Sequence, residues 1–238
     1  MSRICGFMVC GPNEPRLDKV LERWDNLVDD GIICGNNTDA KTEKIIKKHG
    51  YWFYRDDREW GVYQPNIKQD LLHKVAKLKP DYILPCDADE IYNKEFTREE
   101  AEKLVERGAL GYYFAIVNLW NDEEHYRKRL SFWNIRMYRF SPELGLNFER
   151  KNLHCGLAPP WAYAHGKHVP FYIKHYGLLS AEDRQKKVER YNKYDPTAKW
   201  KGQEYYDEIA RETDATPFNE DEFNTRLYED YKRHYEKK

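Results

Sequence analysis

Along the first half of the chain the apolar positions switch repeatedly between short continuous runs and helical spacing. "RICGFMVCG" (residues 3–11) is an apolar run closed by "GPNEP", which predicts a first strand ended by a turn. "RLDKVLERWDNLV" places Leu17, Val20, Leu21, Trp24, Leu27 and Val28 on one helical face. "GIICG" predicts a short buried strand, and "NNTDAKTEKIIKKHG" a helix with Asn, Thr and Asp as caps and Gly50 as its stop. "YWFY" predicts a third strand. "NIKQDLLHKVAKLK" returns to helical spacing at Ile67, Leu71, Leu72, Val75 and Leu78, and "DYILPC" is a fourth strand. "TREEAEKLVERG" carries a capping box, Thr97 with Glu100, and a glycine stop at 108. "LGYYFAIVNLW" predicts a long strand.

This alternation predicts an α/β fold, a mostly parallel sheet with helices on both faces. Ligands of such sheets bind beyond the carboxyl ends of the strands. After residue 120 the pattern changes. "RKRLSFWNIRMYRF" reads as a β-ribbon, "LHCGLAPPWAYAHGKHVPFYIKHYG" as loop plus strand, and "SAEDRQKKVERYNKY" as a helix opened by Ser180. From about residue 197 the chain is charged and aromatic, which predicts helices packed outside or joining a partner. The expected organisation is one domain over 1–196, divided near 120, and a charged helical extension over 197–238. That extension is the expected seat of any homo-oligomer.

Composition narrows the function classes only slightly. Among 238 residues 34% are charged, yet the formal net charge is -1, so charge alone points to neither a nucleic-acid nor a membrane partner. No apolar run approaches the roughly 20 residues of a membrane span, and no cleavage site follows the first apolar run. The five cysteines are scattered and lie mostly within strand-like runs, which fits reduced, buried thiols of a cytoplasmic protein.

The chemistry concentrates in "YILPCDADEIY" (82–92), where Asp87, Asp89 and Glu90 follow directly on an apolar strand. A D-x-D in isolation is most often a solvated turn. Here the acids fall on the ligand edge of the sheet and are held between core segments. Clustered carboxylates repel, and a divalent cation with oxygen ligands, Mn²⁺ or Mg²⁺, removes that penalty.

The order of these features resembles the nucleotide-binding half of a family 2-type glycosyltransferase with the GT-A fold. The resemblance rests on Asn13 and Glu14 after the first strand, "NNTDAKTE" after the second, the Asn of "QPNIKQDLLHKVAK", and then "DYILPCDADEIY". It covers residues 3 to 120 and continues through "IKHYGLLSAEDRQKKVERYNKYDP". It implies a Rossmann-type sheet with a small β-ribbon and C-terminal helices, the halves 1–120 and 121–196 holding donor and acceptor. It implies Asp89 and His175 as metal contacts, with Asp87 on the metal, its water or the ribose, and Glu90 supporting the turn. Pro12, Asn13 and Glu14 would line the base pocket, and Asn36, Asn37 or Asp39 would contact the nucleotide. Asn66 matches a family Asn often preceded by Arg, where this chain has Pro65. His175 alone reads equally as a packed strand histidine, and Asp39 equally as a helix cap.

The implied reaction is inverting glycosyl transfer from a nucleotide sugar, a UDP-sugar first among them, to a hydroxyl of a glycan, a lipid-linked acceptor or a DNA base. Similar sequences often carry His-Glu where this chain has His154-Cys155. The replacement base is sought in "WNDEEHYR", at Asp122, Glu123 or Glu124, with Asp122 preferred because it comes first after the long strand; a solvated acidic loop is the plain alternative. The aromatic, basic stretches "YRKRLSFWNIRMYRF" and "APPWAYAHGKH" would shape the acceptor site. Arg127, Lys128, Arg129, Arg136 and Arg139 read first as salt-bridge partners, otherwise as a phosphate-tracking patch. Two rivals remain: a sugar-phosphate nucleotidyltransferase, which "CGPNEPRLDK" matches poorly, and a non-catalytic nucleotide- or glycan-binding or assembly subunit.

Overall fold

The computed structural model describes residues 1–148, 153–211 and 215–236. Its first half follows the predicted alternation: β1 (Ile4–Cys10), α1 (Leu17–Trp24), β2 (Asp30–Gly35), α2 (Ala40–Lys48), β3 (Trp52–Arg55), α3 (Trp60–Ala76), β4 (Tyr82–Ile83), β5 (Glu90–Tyr92), α4 (Arg98–Arg107) and β6 (Gly111–Trp120). Strands β3, β2, β1 and β4 lie side by side and parallel. The chain leaves β1 for β2 on one side, while β4 flanks β1 on the other. This is the switch point at which open α/β sheets open a crevice.

Helices α1, α2 and α4 bury Leu17, Val20, Leu21, Trp24, Ile46 and Leu104 against one face. Helix α3 buries Ile67, Leu71, Leu72 and Val75 against the other. Thr97 caps α4 as predicted, and Gly108 ends it in the left-handed region at φ 69°. One boundary differs. The apolar pattern starts a helix at Asn66, but α3 begins at Trp60 and contains Pro65. The proline falls early in the helix, and Gly61, four residues before it, is packed under the Tyr194 ring. Tertiary packing thus extends the helix past the point where local rules start it.

The second half is antiparallel except for one strand. It comprises β7 (Asp122–Tyr126), β8 (Phe132–Arg139), α5 (Pro160–Ala164), β9 (Gly166–His175), α6 (Ala181–Tyr194), α7 (Gln203–Ala210), β10 (Thr216–Pro217) and α8 (Glu220–Tyr231). β8 joins β4 to β6, and β9 lies parallel to β6 while pairing β5 on its other side. Residues 122–126, for which a solvated acidic loop was the plain alternative, form a strand. The extension packs in cis: Phe218 and Leu227 belong to the main core, and Tyr206 and Ile209 to a third cluster with Trp120 and Tyr191. All five cysteines are free and buried. Among the described residues no helix is long and apolar enough to cross a membrane.

Candidate active site

The acidic turn stands at the carboxyl edge, beyond β4. Its approach is fixed by backbone bonds of Leu84 and Cys86 to the Cys5 and Phe7 carbonyls of β1, at 2.9 and 3.1 Å. Between them Pro85 has no N–H to give to that ladder, and its carbonyl accepts the buried Tyr92 hydroxyl at 2.8 Å. The turn is then stapled from the far side. Glu90 pairs His175 across β5 and β9, and Tyr176 N–H donates to the Asp89 carbonyl at 2.9 Å. Two segments remote in sequence, β1 and the end of β9, thus fix the turn that carries the three carboxylates.

The carboxylates face different neighbours. Glu90 is buried and takes a two-pronged ion pair from the buried Arg136 guanidinium, at 2.6 and 2.8 Å. Burial alone would raise the Glu90 pKa, but the Arg136 charge and hydrogen bonds outweigh it and hold it down. Asp87 lies 3.5 Å from Arg136. Burial and the Glu90 charge raise its pKa, against Lys68 and Arg136. The repulsion expected of this cluster is therefore met in part by the protein's own arginine.

Asp89 points the other way. Its Oδ2 lies 3.3 Å from His175 Nε2, and Gly177 borders the same space. A Cβ at 177 would collide with Asp89 Oδ2 and stand 2.8 Å from both His175 Nε2 and Lys187 Nζ. Burial pushes Asp89 up, yet His175 and then Lys187 hold it well below the usual carboxylate range. Asn118, inside the apolar run of β6, orients the histidine. Its amide Nδ2 donates to the Leu130 carbonyl at 2.5 Å, which leaves Oδ1 to accept from His175 Nδ1. A neutral His175 so held presents the Nε2 lone pair to the Asp89 carboxylate.

That juxtaposition tests whether a divalent ion fits. A lone pair and a carboxylate facing each other at 3.3 Å call for a positive charge, from a proton on His175 or from a cation shared by both. Among the described residues no group of three or more His, Cys, Asp or Glu side chains gathers to hold a metal. Asp89 and His175 would supply an ion with one carboxylate and one imidazole, a pair that favours Mn²⁺ over Mg²⁺.

The remaining predicted residues separate. Glu14 comes close enough for the Asp89 charge to matter: burial first, then Asp89, push it up to about 7. Pro12 and Asn13 are exposed on the same loop. Asp39 is committed as a cap, accepting from Thr42 N–H at 2.8 Å, and also ties in Asn13 N–H at 3.0 Å. Asn36 is buried, and its amide clasps the Asp56 and Arg58 carbonyls at 2.6 and 2.8 Å. Both residues shape the loops beyond β1 to β3. Asn66 sits on the exposed side of α3; the inward polar residue is Lys68, whose Nζ donates to the Cys155 carbonyl at 2.8 Å.

Asp122 turns outward to His125 at 2.8 Å, whereas Glu123, on the other side of β7, accepts from the Tyr176 hydroxyl at 3.1 Å. Strand alternation therefore reverses the preference for Asp122, since only Glu123 is drawn toward the His175 segment. His154 is packed among Tyr191, Tyr205 and Tyr206, and burial with the Lys201 and Lys187 charges lowers it to about 4. Three of the five basic residues are engaged in salt bridges: Arg127 with Glu208, Arg129 with Glu204 and Arg136 with Glu90. The sequence reading passed over Asn118, Gly177 and Lys187. Asn118 alone had a local signal, a lone amide in an apolar strand.

No protein-family model matches the chain, and no curated protein matches it. Among solved structures it is similar to S. aureus TarS. Residues 1–349 of TarS in complex with UDP-GlcNAc match at 12% identity and TM-score 0.55, over 87% of this chain and 70% of that one. The same fragment without that description matches at 11% and 0.53, over 98% and 73%. A longer TarS chain matches at 11% and 0.51, and the present chain spans 42% of its length. The likeness carries the fold, a GT-A-like, Rossmann-type α/β sheet flanked by helices.

Proposed function

We propose that the protein is a glycosyltransferase that moves a sugar from a nucleoside-diphosphate sugar, a UDP-sugar first among them, to an acceptor hydroxyl, with inversion. One observation carries this: β9 delivers His175 to Asp89 at the switch point of the sheet, where a diphosphate-linked donor would lie. TarS supports it as a protein of the same fold described in complex with UDP-GlcNAc. In this reading the loops around Pro12 to Glu14 and Asn36 to Asp39 form the base and ribose pocket, with Asp39 and Asn36 acting by holding them in shape.

Asp89 and His175 would hold Mn²⁺ or Mg²⁺, with Asp87 reaching a bound water or the ribose. A bound ion supplies charge neutralisation on the leaving diphosphate. Glu123 takes the proton of the acceptor hydroxyl, helped by its place beside Tyr176. The acceptor is a hydroxyl compound, a glycan, a lipid-linked sugar or a DNA base, bound between β7 and α6.

The test is a thermal-shift screen of nucleoside diphosphates and their sugars with Mn²⁺. A ligand at 100 times its Kd stabilises by about 2.7 kcal/mol. Wild type is expected to shift and Asp89→Ala to shift far less; no response of wild type to any nucleoside diphosphate refutes the reading. Once transfer is measured, Glu123→Gln should lower kcat by about 10²- to 10⁴-fold and Asp122→Asn by less than about threefold. Equal losses in the two variants would remove Glu123 from the proton transfer.

A further inference from the structure

Helix α6 crosses the carboxyl edge of the sheet. It starts at Ser180, where a reciprocal cap with Asp183 sets its first turn three residues after Gly177. It ends at Tyr194, against Glu59 and Gly61 at the start of α3. Asp183, Lys187, Arg190 and Tyr194 follow one another at helical spacing, so one side of α6 lines that edge. Two other lysines of the helix are engaged, Lys186 with Glu182 and Lys193 with Glu59.

Lys187 differs from them. It is half-buried, and among the described residues no carboxylate lies within 4.0 Å of it and it makes no hydrogen bond. Its Nζ nevertheless reaches to 2.8 Å from the point where a Cβ of residue 177 would stand, the same distance as His175 Nε2. Three polar atoms on three segments, Asp89 Oδ2, His175 Nε2 and Lys187 Nζ, therefore converge on Gly177, whose missing side chain lets them approach. The Lys187 charge is felt on both sides, at Asp89 and at His154. A flexible ammonium near a carboxylate, without closing onto it, retains its donors for another anion.

The geometry points to Lys187, standing beside Asp89 and His175, as the protein's own cation for the donor's diphosphate, effective without a divalent metal. The inference rests on the nucleotide-sugar reading above. It adds that donor binding has a metal-independent component carried by α6, and that Gly177 is required because any side chain there would displace Asp89 Oδ2 and Lys187 Nζ from each other.

Calorimetric titration with UDP tests it on wild type, Lys187→Met and Lys187→Arg, each in EDTA and in Mn²⁺. Wild type should bind in EDTA. Lys187→Met, which keeps the apolar stem, should bind about tenfold more weakly there, a difference of about 1.4 kcal/mol. Lys187→Arg should stay within about threefold of wild type, and the methionine deficit should shrink in Mn²⁺, where the metal shares the diphosphate. Unchanged melting temperatures show that the fold is intact. Equal affinities of wild type and Lys187→Met in EDTA overturn the inference, as does UDP binding by wild type that appears only with Mn²⁺; in both cases the nucleotide reading survives. Absence of binding to wild type in EDTA and in Mn²⁺ alike refutes both.

Discussion

The acidic turn has two faces, and their difference explains more than the motif does. On one face Glu90 and Asp87 meet Arg136, and Glu90 and Arg136 are 2% and 4% exposed at their side chains. Hydrogen bonds close the Glu90–Arg136 pair, while Asp87 at its rim keeps 34% of its side chain exposed. On the other face Asp89 is 26% exposed and faces His175 and Lys187 beside Gly177. The turn thus holds one carboxylate, Glu90, that serves the fold and two, Asp87 and Asp89, that stay exposed enough to serve a ligand. A motif match cannot tell them apart, because the distinction comes from the partners, on β8 for one face and on β9 and α6 for the other.

The largest effect is expected on the closed face. Arg136→Met leaves Glu90 buried without its cation, which should cost about 3–5 kcal/mol in urea denaturation. Adding Glu90→Gln should restore most of that loss, because the penalty arises from an unpaired charge more than from missing contacts. If Arg136→Met unfolds with the wild-type midpoint, the closed face is not structural and the contrast fails.

Gly177→Ala probes the open face. The new methyl would collide with Asp89 Oδ2, while His175 Nε2 and Lys187 Nζ, at 2.8 Å, are side-chain ends that can give way. Stability should fall by only about 1 kcal/mol. Affinity for UDP with Mn²⁺ should fall about a hundredfold, or about 2.7 kcal/mol. The two variants should thus divide cleanly, one losing the fold and the other the ligand. Wild-type UDP affinity in Gly177→Ala would show that the diphosphate does not lie beside Gly177.

How much of this the sequence displayed follows from the range of each interaction. The strands and helices up to β6 were legible because their cues are local: apolar spacing, the Thr97–Glu100 box, Gly108. The Asp89 turn was legible because it directly ends an apolar run. Pro65 misled, since the packing of Gly61 under Tyr194 that lets α3 continue through it comes from a helix more than a hundred residues away. Asp122 and Glu123 were not separable in the sequence, because the alternation that turns Asp122 to His125 and Glu123 toward Tyr176 appears only once 122–126 is seen as a strand. Lys187 had no signal at all, as it is one cation among several on a charged helix until the fold sets it beside Gly177.

The smallest expected effect sharpens the same contrast through pH. Burial first and then the nearby Asp89 charge raise Glu14 from about 4.5 to about 7, against the Arg16 N–H and charge. For an acid whose folded pKa is raised, the native state holds the proton more tightly than the unfolded chain does. Stability is then favoured at low pH and declines as pH rises from about 4.5 through about 7, with the full penalty present above that. Glu14→Gln removes the titrating proton at nearly constant shape. The variant should match wild type near pH 4 and exceed it near pH 8 by about 1 kcal/mol, allowing for solvent screening of a partly exposed group. Urea denaturation of both proteins across that range measures the difference, which isolates Glu14 from the other titrating groups. Parallel stability curves would mean that Asp89 and Glu14 do not share the open face. An increment that vanishes when Mn²⁺ is added would place the missing positive charge between them, because a cation there relieves in wild type the repulsion that the glutamine variant never has.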